Sequence, residues 1–60
     1  DAAIDECYSI DRGAIVADGE VNVYGIDGRC IYRQSKGVLP VKPGMYIIEG
    51  KGKAAKAYIK

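Results

Sequence analysis

The chain has 60 residues, enough for one domain, and 48% of them are apolar, which is too high a share for a disordered tail. A chain of this length buries only about 60% of the surface that its unfolded form exposes, so its core is thin and leaves little room for a catalytic cleft. The formal net charge is +1. No apolar run approaches the roughly 20 residues of a membrane helix, so we predict no membrane insertion.

The charges are distributed unevenly along the chain. Residues 1–27 carry seven of the 8 acidic side chains, whereas residues 28–60 carry eight of the 9 basic ones. The simpler interpretation is that the two halves pair in one sheet, where opposite charges on neighbouring strands stabilise each other. The alternative is a basic surface that meets an acidic partner. Residues 1–5 are expected to be a linker from an upstream domain and residues 6–60 a single β-sandwich domain that ends at Lys60.

Turn residues divide the first half of the chain into short segments that are typical of strands. The first predicted strand covers residues 6–10 and ends in a turn at Asp11-Arg12-Gly13. The second covers residues 14–17. After it, Asp18-Gly19 predicts a tight hairpin, because this pair favours the positive φ angles of hairpin turns. A third strand follows over residues 20–24, with alternating apolar and polar side chains.

A second Asp-Gly pair, Asp27-Gly28, predicts the next hairpin. It leads into a fourth strand over residues 29–33. We expect Gly37 to interrupt the following segment, which leaves a short fifth strand at residues 38–39 that Pro40 closes.

The last part of the chain predicts one covered strand and one edge strand. Pro43-Gly44 forms a turn before residues 45–49, which are apolar at nearly every position and are therefore expected to be central and covered on both faces. A glycine turn at residues 50–52 leads to the final strand at residues 53–60, whose lysines suit an exposed edge. About seven short strands with regular turns indicate an all-β, antiparallel sandwich or small barrel.

Side chains for catalysis are sparse in this sequence. The chain has no His, so the commonest general base and the usual catalytic triads are absent. Neither Ser9 nor Ser35 lies in a G-x-S-x-G sequence. The segment Gly50-Lys51-Gly52-Lys53 lacks the spacing of a phosphate-binding loop. We therefore predict that the protein is not an enzyme and binds no cofactor.

The sequence contains two cysteines, Cys7 and Cys30. Two cysteines without His cannot supply the four ligands of a structural zinc site, so no metal is predicted. In a secreted protein they could form one disulfide, which chain-entropy models value at roughly 3 kcal/mol. The alternative is two unpaired, buried thiols that pack as small apolar side chains. Both interpretations stay open, because a sequence contains no Cα separation.

Tyrosines near the basic half raise the question of nucleic-acid binding. On a small β-barrel, such side chains could stack against bases beside a positively charged groove. These tyrosines are Tyr24, Tyr32, Tyr46 and Tyr58. However, the chain as a whole is nearly neutral, and tyrosine is a common residue of ordinary strands. We interpret the tyrosines as structural, so nucleic acid is not the expected partner and is kept as the weaker alternative.

Three segments of the chain resemble the motifs of one known family. Residues 21–31 resemble the "VxVYDxxGRxV" hairpin of the C-terminal sorting domains of type IX secretion, which occur on secreted Bacteroidetes proteins. Leu39 followed by residues 43–48 resembles the family's "LPxGxYIV" segment. Residues 53–60 are similar to its terminal "GxxxxKVxVK" strand. The resemblance covers roughly residues 19–60 of the chain.

The resemblance implies a seven-stranded Ig-like sandwich at the end of a larger secreted protein. In that family the domain is a sorting or cell-surface anchoring signal that an outer-membrane translocon reads. The implied partners are the upstream domain of the same protein and the outer-membrane secretion machinery, and the implied location is extracellular or on the cell surface. An accessory β-sandwich, structural or adhesive, that packs on a larger extracellular protein is the alternative function.

The resemblance also assigns roles to individual residues. Structural motif positions are Gly28, Arg29, Pro43, Gly44 and Tyr46. The candidate recognition surface consists of the lysines in the last two strands and their turn, which are Lys51, Lys53, Lys56 and Lys60.

Overall fold

The structure is a computed structural model that describes residues 8–60. The described range contains five strands, which are β1 (Tyr8–Asp11), β2 (Ala14–Gly25), β3 (Cys30–Pro40), β4 (Gly44–Gly50) and β5 (Lys53–Ile59). All pairings between them are antiparallel, and the described residues contain no helix. The prediction of an all-β antiparallel fold is therefore confirmed. The predicted linker, Cys7 and the first part of the first predicted strand lie outside the described residues.

Strand β2 occupies the centre of the sheet. Along one edge it pairs first with β1, over residues 14–17, and then with β4, over residues 22–25. Along its other edge it pairs with β3. Strand β5 pairs with the outer edge of β4, and within the described residues β4 is its one strand neighbour. The final segment is thus an edge strand, as its lysines predict.

The structure has five strands where the sequence predicts about seven, because two predicted breaks are bends within continuous strands. The hairpin predicted at Asp18-Gly19 is wrong. Residues 18–20 lie inside β2 and bulge opposite Lys36 alone. The interruption predicted at Gly37 is also wrong, since this glycine lies inside β3 with a φ of 94°. Bulges bend a strand and increase its twist without ending it.

The bends divide the sheet into two parts that face each other. The first arm consists of β1, residues 14–17 of β2 and residues 37–40 of β3. The second arm consists of the remaining parts of β2 and β3 together with β4 and β5.

A hydrogen bond within β3 shows how sharply the sheet curls. The Tyr32 hydroxyl group donates to the carbonyl oxygen of Pro40 at 2.7 Å, although the two residues lie at opposite ends of the strand. In a straight strand, eight residues span about 26 Å, far beyond the reach of a tyrosine side chain. The sheet is therefore curled into a half-barrel.

A single apolar cluster fills the space between the two arms. The first arm contributes Ile15, Ala17 and Leu39, and the second contributes Val21, Val23, Tyr46, Ile48 and Ile59. Among the described residues no polar or charged side chain is buried. Both arms therefore depend on the same core, and the outer side of the sheet carries the polar groups.

Strand β4 is covered on one side. It lies between β2 and β5, so the prediction of a central strand is confirmed. The prediction that both of its faces are covered is wrong. Tyr46 and Ile48 are buried, whereas Met45 is 41% exposed on the outer side, where no second layer of the described chain packs against it.

Two predicted turns are confirmed as tight hairpins with positive φ at both central residues. In the β1–β2 turn φ is 53° at Arg12 and 76° at Gly13, and in the β4–β5 turn it is 52° at Lys51 and 74° at Gly52. This is the pattern of a type I′ turn, whose twist matches that of the flanking strands. Such turns also determine the register of the strands that they join.

Candidate recognition surface

The four candidate recognition lysines lie at the edge of the second arm. Lys51 is in the β4–β5 turn, Lys53 and Lys56 are in β5, and Lys60 follows the strand. All four are exposed. The C-terminal edge of the described sheet is therefore basic.

Strand alternation divides these lysines between the two sides of the sheet. Ile59 is buried, so positions 53, 55 and 57 lie on the core side and positions 54, 56 and 58 on the outer side. Lys56 and Tyr58 lie on the outer side, and Lys60 is two residues after Tyr58. Lys53 lies on the core side, and Lys51 is at the turn. The structure thus brings Lys56 and Lys60 to one side, with the exposed ring of Tyr58 between them.

A polar cluster that sequence reasoning missed lies next to this edge on the outer side. The Glu49 carboxylate accepts hydrogen bonds from the side-chain amide of Asn22 at 3.2 Å and from the Tyr24 hydroxyl group at 3.4 Å. The side-chain oxygen Oδ1 of Asn22 accepts a hydrogen bond from the backbone N–H of Gln34 at 2.7 Å, where β3 bulges with a φ of 46° at Gln34. Alternation in β2 predicts that Asn22 and Tyr24 share a side, but nothing local predicts Glu49 as their partner.

The environment of Tyr24 favours its neutral form. Desolvation by the surrounding side chains raises the pKa of its phenol above the usual 10.0, and the negative charge of Glu49 raises it further. Strand register places the ring in a row with Lys56 and Ile47 on one side and Cys30 on the other. The cluster therefore joins three strands beside the basic edge.

Cys30 is exposed on the outer side of β3. Its thiol donates to the carbonyl oxygen of Tyr32 at 3.5 Å. Cys7 lies outside the described residues, so the disulfide stays a prediction. The alternative of two buried thiols is wrong for Cys30, because this residue is exposed.

The hairpin predicted at Asp27-Gly28 is confirmed between β2 and β3. The Gly25 N–H donates to the Arg29 carbonyl oxygen at 2.8 Å, and the Gly28 N–H donates to the Gly25 carbonyl oxygen at 2.9 Å. The Asp27 carboxylate accepts the Arg29 N–H at 3.1 Å, and Gly28 has a φ of 89° that favours glycine. The motif residues Gly28 and Arg29 therefore have structural roles in this turn.

Pro43 and Gly44 lead into a corner that Tyr46 closes. The buried ring of Tyr46 reaches back so that its hydroxyl group donates to the Lys42 carbonyl oxygen at 2.6 Å. Gly44, between them, has a φ of 152°, in a region that favours glycine. A tyrosine hydroxyl group bonded to the backbone a few residues upstream, at the entry to a strand, resembles the tyrosine corner that Greek-key β-sandwiches contain.

The described surface offers shallow depressions rather than an enclosed cleft. One lies between the β2–β3 hairpin and the start of β4, with Ile26, Ile31 and Met45 in its lining. Within residues 8–60 no three metal-binding side chains come together. No helix in the same residues is long and apolar enough to cross a membrane.

Comparison of the chain with protein-family models, curated proteins and solved structures finds no match. The resemblance to type IX sorting domains therefore remains a prediction from the sequence motifs.

Proposed function

We propose that this protein is a non-catalytic C-terminal domain of a secreted protein and acts as a sorting or cell-surface anchoring signal. The observation that carries the proposal is the position of the three motif-like segments. The first forms the hairpin between β2 and β3, the second forms β4 with its tyrosine corner, and the third forms β5. In the second arm, which ends at the basic edge, the second segment pairs with the first through β4 and β2 and with the third through β4 and β5.

The proposed architecture is an Ig-like sandwich, and two features support it. Dividing β2 and β3 at their bends produces seven segments in two arms that enclose one core. The tyrosine corner at Tyr46 is typical of Greek-key sandwiches. The longer β2 and β3 would then each contribute to both sheets.

A binding function suits the described surface better than catalysis. The polar side chains on the outer side, Asn22, Tyr24 and Glu49, hydrogen-bond to one another. A candidate general base needs access to a reacting proton in a shaped site, and the open depression beside Asn22 and Tyr24 does not enclose a substrate. The proposed partners are instead proteins, namely the upstream domain and the outer-membrane secretion machinery.

Export of a reporter tests the proposal. A reporter protein fused to residues 1–60 and equipped with an inner-membrane export signal is expressed in a host with type IX machinery. We expect the reporter at the cell surface or in the medium, and we expect retention in the periplasm when residues 53–60 are deleted. Lys36→Glu, at an exposed lysine on β3, is the matched control and should leave export unchanged. Retention of the intact fusion in the periplasm would overturn the sorting function.

A second candidate is an accessory structural or adhesive module packed on its neighbour. The exposed apolar side chains Met45 and Tyr58, which pair across β4 and β5, favour it. In that case the reporter stays in the periplasm, and the domain protects a junction in its parent protein from proteolysis. Nucleic-acid binding, the weaker alternative, predicts salt-dependent binding of an oligonucleotide.

A further inference from the structure

Within the described residues, the edge of β5 that faces away from β4 has no strand neighbour, and the strand is regular along this free edge. Strands β4 and β5 pair without a register shift from Gly50 opposite Lys53 to Gly44 opposite Ile59. In a two-residue hairpin, the pair that closes the turn exchanges both backbone hydrogen bonds, and such pairs alternate along the ladder. Lys53, Ala55, Ala57 and Ile59 therefore bond to β4, whereas the N–H and C=O groups of Ala54, Lys56 and Tyr58 point away from it.

The two edges of the second arm differ in their protection against a further strand. The β3 edge carries bulges and a positive φ angle at Gln34 within the second arm, and β3 continues into the first arm with a positive φ angle at Gly37 and a terminal proline. Natural proteins use such features to block pairing at sheet edges. Strand β5 contains no proline or bulge, and three of its seven residues are alanines with little bulk. Its lysines are then the feature that selects what pairs with it.

The two sides of β5 specify the chemistry of an added strand. On the core side, Ala55 is exposed and Ala57 only partly buried, so the described part of the curled sheet leaves these two side chains accessible along β5. Apolar side chains on an added strand would cover them. On the outer side, Lys56 and Lys60 favour acidic side chains opposite them. No ion pair of Lys56 occurs among the described residues.

We propose that β5 binds an extended partner segment with alternating apolar and acidic residues, which adds to the second arm as a further antiparallel or parallel strand. Backbone hydrogen bonds to Ala54, Lys56 and Tyr58 provide affinity, and the two sets of side chains provide selectivity. The inference rests on the proposed function and deepens it, because it states how the sorting domain is recognised and by what kind of segment.

Binding of a defined peptide to the 60-residue chain tests this mode. The probe is a capped octapeptide of alternating valine and glutamate, and the control peptide alternates valine and lysine. We expect saturable binding of the acidic peptide alone. In NMR spectra the amides of Ala54, Lys56 and Tyr58 should shift most and gain protection from hydrogen exchange.

Three substitutions separate the contribution of the backbone hydrogen bonds to peptide binding from that of the lysine charge. Ala54→Pro removes an N–H group at the free edge while the bonds to β4 remain, and should abolish detectable binding. Lys56→Glu should weaken binding about three- to tenfold, because attraction becomes repulsion. Lys36→Glu, on the opposite edge, should leave the affinity unchanged. If Ala54→Pro does not fold, Lys56→Glu against Lys36→Glu still decides the question.

Equal binding of both peptides, protection confined to β3, or no saturable binding would each overturn strand addition at β5. The outcome is independent of reporter export. Export without peptide binding leaves the sorting function and removes this mode of recognition. Peptide binding without export leaves this mode of recognition and removes the sorting function.

Discussion

The Tyr46 side chain is buried in the core, and its hydroxyl group donates a hydrogen bond to the Lys42 carbonyl oxygen. This bond fixes the segment that leads into β4. Tyr46→Phe keeps the buried ring and removes the donor, so the partly buried carbonyl loses its partner. We expect the free energy of unfolding to fall by about 1 to 2 kcal/mol in urea denaturation. Tyr58→Phe, at a ring that is 63% exposed, is the matched control and should change stability by less than about 0.5 kcal/mol. Equal effects of the two changes would contradict a role for the corner.

The raised pKa of Tyr24 predicts a loss of stability in alkali. The folded state holds the phenolic proton at pH values where the unfolded state, with the usual pKa of 10.0, releases it. The stabilising contribution is therefore complete below pH 10 and is lost as the pH rises through the folded-state pKa. We expect Tyr24→Phe to make unfolding less dependent on pH above 10, as measured by urea denaturation across that range.

Glu49 gives an independent control of the same titration. Removing its charge by Glu49→Gln should lower the Tyr24 pKa in an ultraviolet titration, but only partly, because desolvation is the larger cause. An unchanged titration curve would show that the carboxylate does not act on this phenol. The pairing itself could not be predicted from the sequence, since the two residues are on different strands and meet only through the register of β2 with β4.

The bend between the arms depends on β-bulges, and its two glycines differ in a testable way. Gly37 has a φ of 94°, whereas Gly19 has no positive φ, and neither has a neighbouring atom that an added methyl group would meet. Gly37→Ala should cost about 1 to 3 kcal/mol of stability from backbone strain alone. Gly19→Ala should be neutral or slightly stabilising, because it reduces the entropy of the unfolded chain. Urea denaturation of both variants compares the two sites directly, and equal costs would refute the strain argument.

At the scale of elements, the turns that join consecutive strands were predictable at Arg12-Gly13, Asp27-Gly28 and Lys51-Gly52. Both central residues have positive φ in the first and third of these turns, whereas in the second only Gly28 does. Asp18-Gly19 has the same local signal and continues β2 instead. The two Asp-Gly pairs differ in their tertiary contacts. Strand β3 pairs with β2 on both sides of the bulge at residues 18–20, and both parts of β2 contribute to the core, so β2 continues through this pair.

The whole molecule should unfold as one unit, because a single core joins both arms. Ile15 lies in the first arm and is fully buried, so Ile15→Ala should cost about 2 to 5 kcal/mol. We expect the loss to reduce hydrogen-exchange protection of β5 amides in the second arm as well. Ile26→Ala, at a side chain that is 65% exposed, should have little effect. Unchanged protection of β5 in Ile15→Ala would mean that the arms are stabilised separately.

Which face of a strand is buried is also decided by the whole molecule. The residues of β4 are apolar at nearly every position, which predicted two covered faces, but the half-barrel encloses only the side with Tyr46 and Ile48. The outer side keeps Met45 and the basic edge accessible. The apolar pattern of a strand indicates which residues favour burial. The arrangement of the layers decides which of these residues are buried.

The sequence by itself determined the strand-rich character, the tight turns and the alternation that places Val21 and Val23 in the core, because these depend on the φ preferences and spacing of nearby residues. The tertiary structure decided that Asp18-Gly19 bends a strand, that Glu49 meets Asn22 and Tyr24, and that the candidate recognition lysines divide between the two sides of the sheet. These outcomes depend on register and curvature across distant strands, and no local segment contains that information.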